Sequence, residues 1–119
     1  MDLMSDRRIC ARLIKEVLAG RRITREALKL FPKSSDDKSV IAAYHALIHY
    51  EADEDLRKRD EEFKEEQDIY LNSLADILLT GNPLPENIIN SYENFYAGTV
   101  LPEGKGFYIW LKSILRFIT

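Results

Sequence analysis

His45 and His49 stand four residues apart, the spacing that brings two imidazoles onto one face of a helix. Two such imidazoles can ligate one metal ion, and carboxylates follow at Glu51, Asp53 and Glu54. The intervening residues are Ala46, Leu47 and Ile48, so the stretch is not H-E-x-x-H, nor does the chain carry the paired E-x-x-H motifs of a di-iron bundle. On a helical wheel both histidines fall opposite the apolar stripe of their helix. The expectation is a pair of surface histidines and no metal site.

The acids of residues 53–68 form the second constellation. Glu62/Glu65 and Glu65/Asp68 have the three-residue spacing with which all-helical nucleoside-triphosphate pyrophosphohydrolases hold magnesium. In those enzymes the pairs sit on separate helices, and here they overlap on one. Ser73 stands where the first acid of a second pair with Asp76 belongs. Magnesium needs converging carboxylates together with substrate phosphates. A single charged stripe reads instead as a solvated helix face with ion pairs such as Asp60/Lys64.

The single cysteine, Cys10, excludes an intrachain disulfide and a zinc site built on several thiolates. It falls on an apolar helix face, where a buried and inert thiol is expected. No serine, histidine and carboxylate follow a triad signature, and Gly104-Lys105-Gly106 is too short for a phosphate loop. The expectation is no catalytic residue, no cofactor and no enzyme.

The elements that carry these residues read as helices. At 119 residues, 45% apolar and 31% charged, the chain is one globular domain spanning 1–119. Residues 6–19 place Ile9, Cys10, Leu13, Ile14 and Val17 on one face, with Ser5 as N-cap and Gly20 as terminator. Thr24 caps a short helix through Leu30, with Ile23 and Leu28 as a hydrophobic staple and Pro32 closing it. Ser35, Asp36 and Asp37 start a third helix running to about Ala52, with Val40, Tyr44, Leu47 and Ile48 inward. A fourth, charged helix covers about 54–80 along Leu56, Phe63, Tyr70, Leu74, Ile77 and Leu78, and Gly81-Asn82-Pro83 ends it. One continuous helix over 36–80 would be about 66 Å long, so a break is expected near 52–55. Pro85 opens a fifth helix at its first position, with Ile88, Ile89, Tyr92, Phe95 and Tyr96 inward and Gly98 at its end. After a loop at 98–106, residues 107–118 make a wide-faced apolar helix. No strand alternation or hairpin signal occurs. The fold expected is an all-α compact bundle of five to six helices. It has an N-terminal tri-helical unit, then the long charged helix, then two amphipathic C-terminal helices.

Residues 9–50 follow the order helix, Gly20-Arg21-Arg22-Ile23-Thr24, short helix, turn, helix. That layout resembles the tri-helical helix-turn-helix class, winged-helix proteins included, over about a third of the chain. The resemblance implies a third helix entering the major groove by its N-terminal end. Asp36 and Asp37 occupy that end and repel phosphate. On this alternative reading Arg21, Arg22, Arg25 and Lys38 contact nucleic acid.

Charge is unevenly spread. Residues 1–33 carry net +5, 34–68 carry −7, 69–98 carry −3 and 99–119 carry +2. The basic head either complements the acidic middle internally or meets an acidic partner. No leader-like N-terminus and no apolar run of membrane-spanning length occurs, so a cytoplasmic protein without membrane contact is expected. Seven aromatics fall between Tyr92 and Phe117, and aromatics are enriched at interfaces. The leading functional expectation is a non-enzymatic protein–protein interaction or assembly module. Its expected interface is Ile109, Trp110 and Phe117, and its expected partner is a protein or a second copy in an isologous homodimer.

Overall fold

A computed structural model describes residues 3–32 and 36–96. The fold is an all-α bundle. Six helices lie in these residues: α1 (Leu3–Leu18), α2 (Thr24–Leu30), α3 (Lys38–Ala52), α4 (Glu54–Arg59), α5 (Glu61–Leu79) and α6 (Glu86–Tyr96). No strand occurs among the described residues. Gly98, the loop at 98–106 and the helix expected over 107–118 lie outside them.

α1 begins three residues before the expected start, so Ser5 lies inside the helix and is not its N-cap. Gly20 terminates it as expected. Its φ is +74°, its N–H donates to the Val17 carbonyl at 3.0 Å, and the Arg21 N–H donates to the Glu16 carbonyl at 2.9 Å. Together these two bonds are a Schellman closure. The cap of α2 is Ile23, whose carbonyl accepts from Glu26 and Ala27, and Thr24 is the first helical residue. Ile23 is 65% exposed, while Leu28 packs partly buried against the core.

α3 is the hub, packing on α1, α2, α5 and α6. Val40 and Leu47 are buried as expected, but Ala42, Ala43, Ala46 and Tyr50 are buried beside them. The three alanines widen the inward face while adding little to an apolar stripe. They also let neighbouring helices approach on several sides, as small residues at helix contacts do. Tyr44 and Ile48 are only half-buried.

The expected break falls at Asp53, which ends α3 and precedes α4. The single helix expected over 54–80 is itself divided at Asp60, whose backbone is extended (φ −134°, ψ 100°). The Asp60 carboxylate accepts from the Phe63 N–H at 3.1 Å and caps α5. Lys64 reaches Asp68 one turn further on, at 2.8 Å. α1 and α5 form the most extensive helix pair. Ile14, Leu47, Tyr70, Leu71, Leu74, Leu78 and Ile88 meet in one contiguous core. Pro85 sits one position ahead of α6, where its carbonyl accepts from Ile88 and Ile89 at 3.0 and 3.2 Å.

Candidate functional site

The two histidines do not share a solvated face. His49 is 6% exposed and buried in the bundle. His45 is half-buried, one turn earlier. The surface expectation fails because α3 is enclosed on several sides, so the arc opposite its large apolar residues is also covered. Burial, then the charge of His45, pushes the His49 imidazole down to about 4, and burial lowers His45. Burial thus favours the neutral form of both rings, and His49 is neutral at pH 7. Among the described residues no three His, Cys, Asp or Glu side chains are arranged to hold a metal ion.

Cys10 is fully buried, as expected. Burial pushes its thiol up to about 12, and the carboxylates of Asp6 and Asp37 reinforce the shift. A thiol so held is not a nucleophile at neutral pH.

The cations expected to meet nucleic acid are placed unevenly. Arg21 is exposed. Arg22 donates from Nε to Glu16 at 3.0 Å and lies 4.0 Å from Glu26. Arg25 donates from Nε to Glu51 at 2.8 Å. Val17, Ile23, Thr24, Tyr50 and Glu54 complete a cleft of about 320 Å³ around Arg22, Arg25 and Glu51. The cleft therefore presents paired charges of both signs. Lys38 is exposed at the start of α3, and the neighbouring Asp37 is engaged by Arg7. Arg22 and Arg25 line this cleft, and Lys38 lines another one. Ile109, Trp110 and Phe117 lie outside the described residues.

The acidic stripe lies on the outward face of α5. Glu61, Glu62, Lys64, Glu65, Asp68 and Ile69 line a shallow concavity there. Ile69 is 47% exposed, and a second shallow groove, lined also by Leu18, Asn72 and Ser73, adjoins it. An apolar side chain framed by carboxylates suits contact with a partner that is apolar at its centre and basic at its rim.

A third concavity lies between α3 and α6. It measures about 330 Å³ and is lined by Asp36, Lys38, Ile41, Ala42, His45, Ile89 and Tyr92. Ile41 is 43% exposed at its edge.

One polar assembly has no counterpart among the expected sites. Gln67 is buried and donates from Nε2 to Asp53 at 3.3 Å. Arg57 donates from Nη1 to the Tyr50 carbonyl and to Gln67 Oε1, and its guanidinium stacks 3.4 Å over the Tyr50 ring. The Tyr50 hydroxyl donates to Asp68 at 2.8 Å. These groups tie α3, α4 and α5 at their two breaks and set the angle at which α5 presents its outer face. A signal was available: positions 63, 67, 70 and 74 form one inward row, and Gln67 is its only polar member.

No described helix is long and apolar enough to cross a membrane. Compared with protein families, with curated proteins and with solved structures, the chain matches none.

Proposed function

We propose that the chain is a non-enzymatic protein–protein interaction module and that the outward face of α5, centred on Ile69, is its docking surface. The observation that carries this reading over nucleic-acid binding is the engagement of Arg22 and Arg25 by Glu16, Glu26 and Glu51. Phosphate binding draws on cations available to replace counterions. Cations already bound to carboxylates contribute little to it. Ile69 supplies an apolar anchor in a rim that Glu61, Glu62 and Glu65 make acidic, Asp68 being engaged by Lys64 and Tyr50. The partner this surface fits is a protein segment with an apolar side chain between lysines or arginines.

Affinity capture of the full chain from its native host extract, with and without nuclease, tests the proposal. A nuclease-resistant protein partner is expected, lost with Ile69→Arg and kept with the double change Arg21→Glu, Arg22→Glu. Nuclease-sensitive capture, or salt-dependent binding to labelled DNA or RNA that the arginine changes abolish, overturns it in favour of the helix-turn-helix reading. A second copy is the other partner expected from the C-terminal stripe. Light scattering reads it directly, since the monomer is 13.8 kDa.

A further inference from the structure

We propose that α4 is a strap that opens and closes as a unit between Asp53 and Asp60 while the rest of the bundle stays folded, with Arg57 as its latch. The first ground is how little apolar surface holds it. No residue of α4 is buried, and Leu56, its one apolar side chain, is half-buried. A helix of six residues is too short to stand in water without tertiary support. The Arg57 and Asp60 N–H groups donate to the Asp53 and Leu56 carbonyls at 3.0 and 2.9 Å, so these backbone bonds are local to the segment.

The second ground is that both neighbours are terminated independently of α4. The last turn of α3 is closed by the Asp53 N–H, which donates to the His49 carbonyl at 2.9 Å. α5 carries its own cap, the Asp60 carboxylate on the Phe63 N–H. Asp53 (φ −95°, ψ 15°) and Asp60 (φ −134°, ψ 100°) lie outside the helices they join. Rotation at these two residues moves α4 without unwinding a turn of α3 or α5.

The third ground is the chemistry of the closing contact. Arg57 Nη1 donates to the Tyr50 carbonyl and to Gln67 Oε1, and the guanidinium stacks over the Tyr50 ring. Gln67, 2% exposed, is the fixed half of this seat and also donates to Asp53. Water replaces much of such a polar contact when it parts, so the net cost of opening is small. A seat of leucines would return apolar area to water at full cost. Tyr50 carries the change outward. Its ring holds Arg57 and its hydroxyl donates to Asp68, which lines both shallow grooves on the outer face of α5.

Hydrogen exchange of the full chain in increasing urea tests the strap. The Arg57 and Asp60 amides are expected to be protected and to exchange through an opening that urea barely promotes, because little surface is uncovered. The Leu71 and Leu74 amides in the core of α5 are expected to follow global unfolding, with its steep urea dependence. Arg57→Met is expected to speed exchange at Asp60 by about tenfold or more, for the stack and hydrogen bonds lost. Ile14→Val, a core change in α1, is expected to speed Leu71 and Leu74 by about fivefold. It is expected to leave the α4 amides unchanged, since the open strap keeps the packing of Ile14. Amides in α4 with no protection in the wild type overturn the proposal. So does exchange there at the rate and urea slope of Leu74, equal acceleration of both places by Ile14→Val, or indifference of Asp60 to Arg57→Met. Should Arg57→Met not fold, the wild-type urea slope and Ile14→Val decide the matter.

Discussion

Arg7 and Asp37, thirty positions apart in the chain, form a two-pronged ion pair in the interior. Nε donates to Oδ2 at 2.7 Å and Nη2 to Oδ1 at 3.3 Å, with the side chains 14% and 5% exposed. Nη1 donates to the Gly81 carbonyl at 2.9 Å. Asp37 Oδ1 also accepts from the Ser39 N–H at the start of α3, and Ser39 Oγ accepts from the Leu84 N–H. One guanidinium thus joins α1, the cap of α3 and the turn after α5. Removing one partner leaves the other charge buried, which costs about 3–5 kcal/mol. Arg7→Met and Asp37→Ala are each expected to destabilise by that order. The double variant is expected to lose less than the sum, because it leaves no lone buried charge. Urea unfolding of the four proteins checks it, and strictly additive losses would show that the two residues are not coupled.

Cys10 supplies a reporter of global opening. It is fully buried on the inward face of α1, and its pKa is pushed up to about 12 by burial and by nearby carboxylates. A thiol reagent reaches it only when the core opens, and only the thiolate reacts. Labelling by Ellman's reagent is expected to be negligible in native buffer and to follow urea with the midpoint of the helical signal. Rapid labelling of the folded chain would mean that α1 detaches from α5 on its own.

Much of this architecture is legible in the residues. Helical spacing of Ile9, Leu13, Ile14 and Val17 places α1, and Gly20 marks its end. The stop at Asp53 follows from length alone. Other features are hidden for definite reasons. Asp60 sits in a run of charges, where a capping carboxylate looks like any other acid, and only its partner Phe63 N–H distinguishes it. The inward face of α3 rests on Ala42, Ala43 and Ala46, which weigh little in an apolar pattern yet allow close packing. That enclosure buries His49, which a wheel built from large residues leaves outside. The Arg25–Glu51 and Arg7–Asp37 pairs depend on how helices cross, and spacing within one helix does not encode a crossing.

Gly20 and Gly81 both adopt left-handed backbone, with φ of +74° and +85°. Their surroundings differ. A Cβ on Gly20 meets nothing within 4 Å, whereas one on Gly81 falls 2.7 Å from Met4 Cε and 3.3 Å from its Cγ. Gly20→Ala is expected to cost about 1 kcal/mol, the penalty of a left-handed non-glycine residue. Gly81→Ala is expected to cost more, because Met4 must also shift. Met4→Ala is expected to relieve part of the Gly81→Ala loss and none of the Gly20→Ala loss. Thermal unfolding of the single and double variants measures the difference, and equal losses at both glycines would exclude the Met4 contact as a cause.

His49 couples stability to pH in a definite direction. Its folded pKa, about 4, lies below the usual value of 6.5, because burial and the charge of His45 oppose protonation. His45 is lowered as well, by burial alone. Below pH 6.5 the unfolded chain takes up protons on these rings more readily than the folded chain does. The unfolded state then binds more protons, so unfolding free energy falls as pH falls. The contribution is complete above 6.5 and is lost progressively toward pH 4. Between a pH of about 7.5 and about 5, His49 is expected to account for a loss on the order of 2 kcal/mol. His49→Gln keeps a polar side chain of similar reach and cannot charge, so its stability is expected to fall less over the same interval. Urea unfolding of both proteins at the two pH values decides the matter. Parallel losses in wild type and His49→Gln would place the titrating group elsewhere, among carboxylates that leave the interior on protonation.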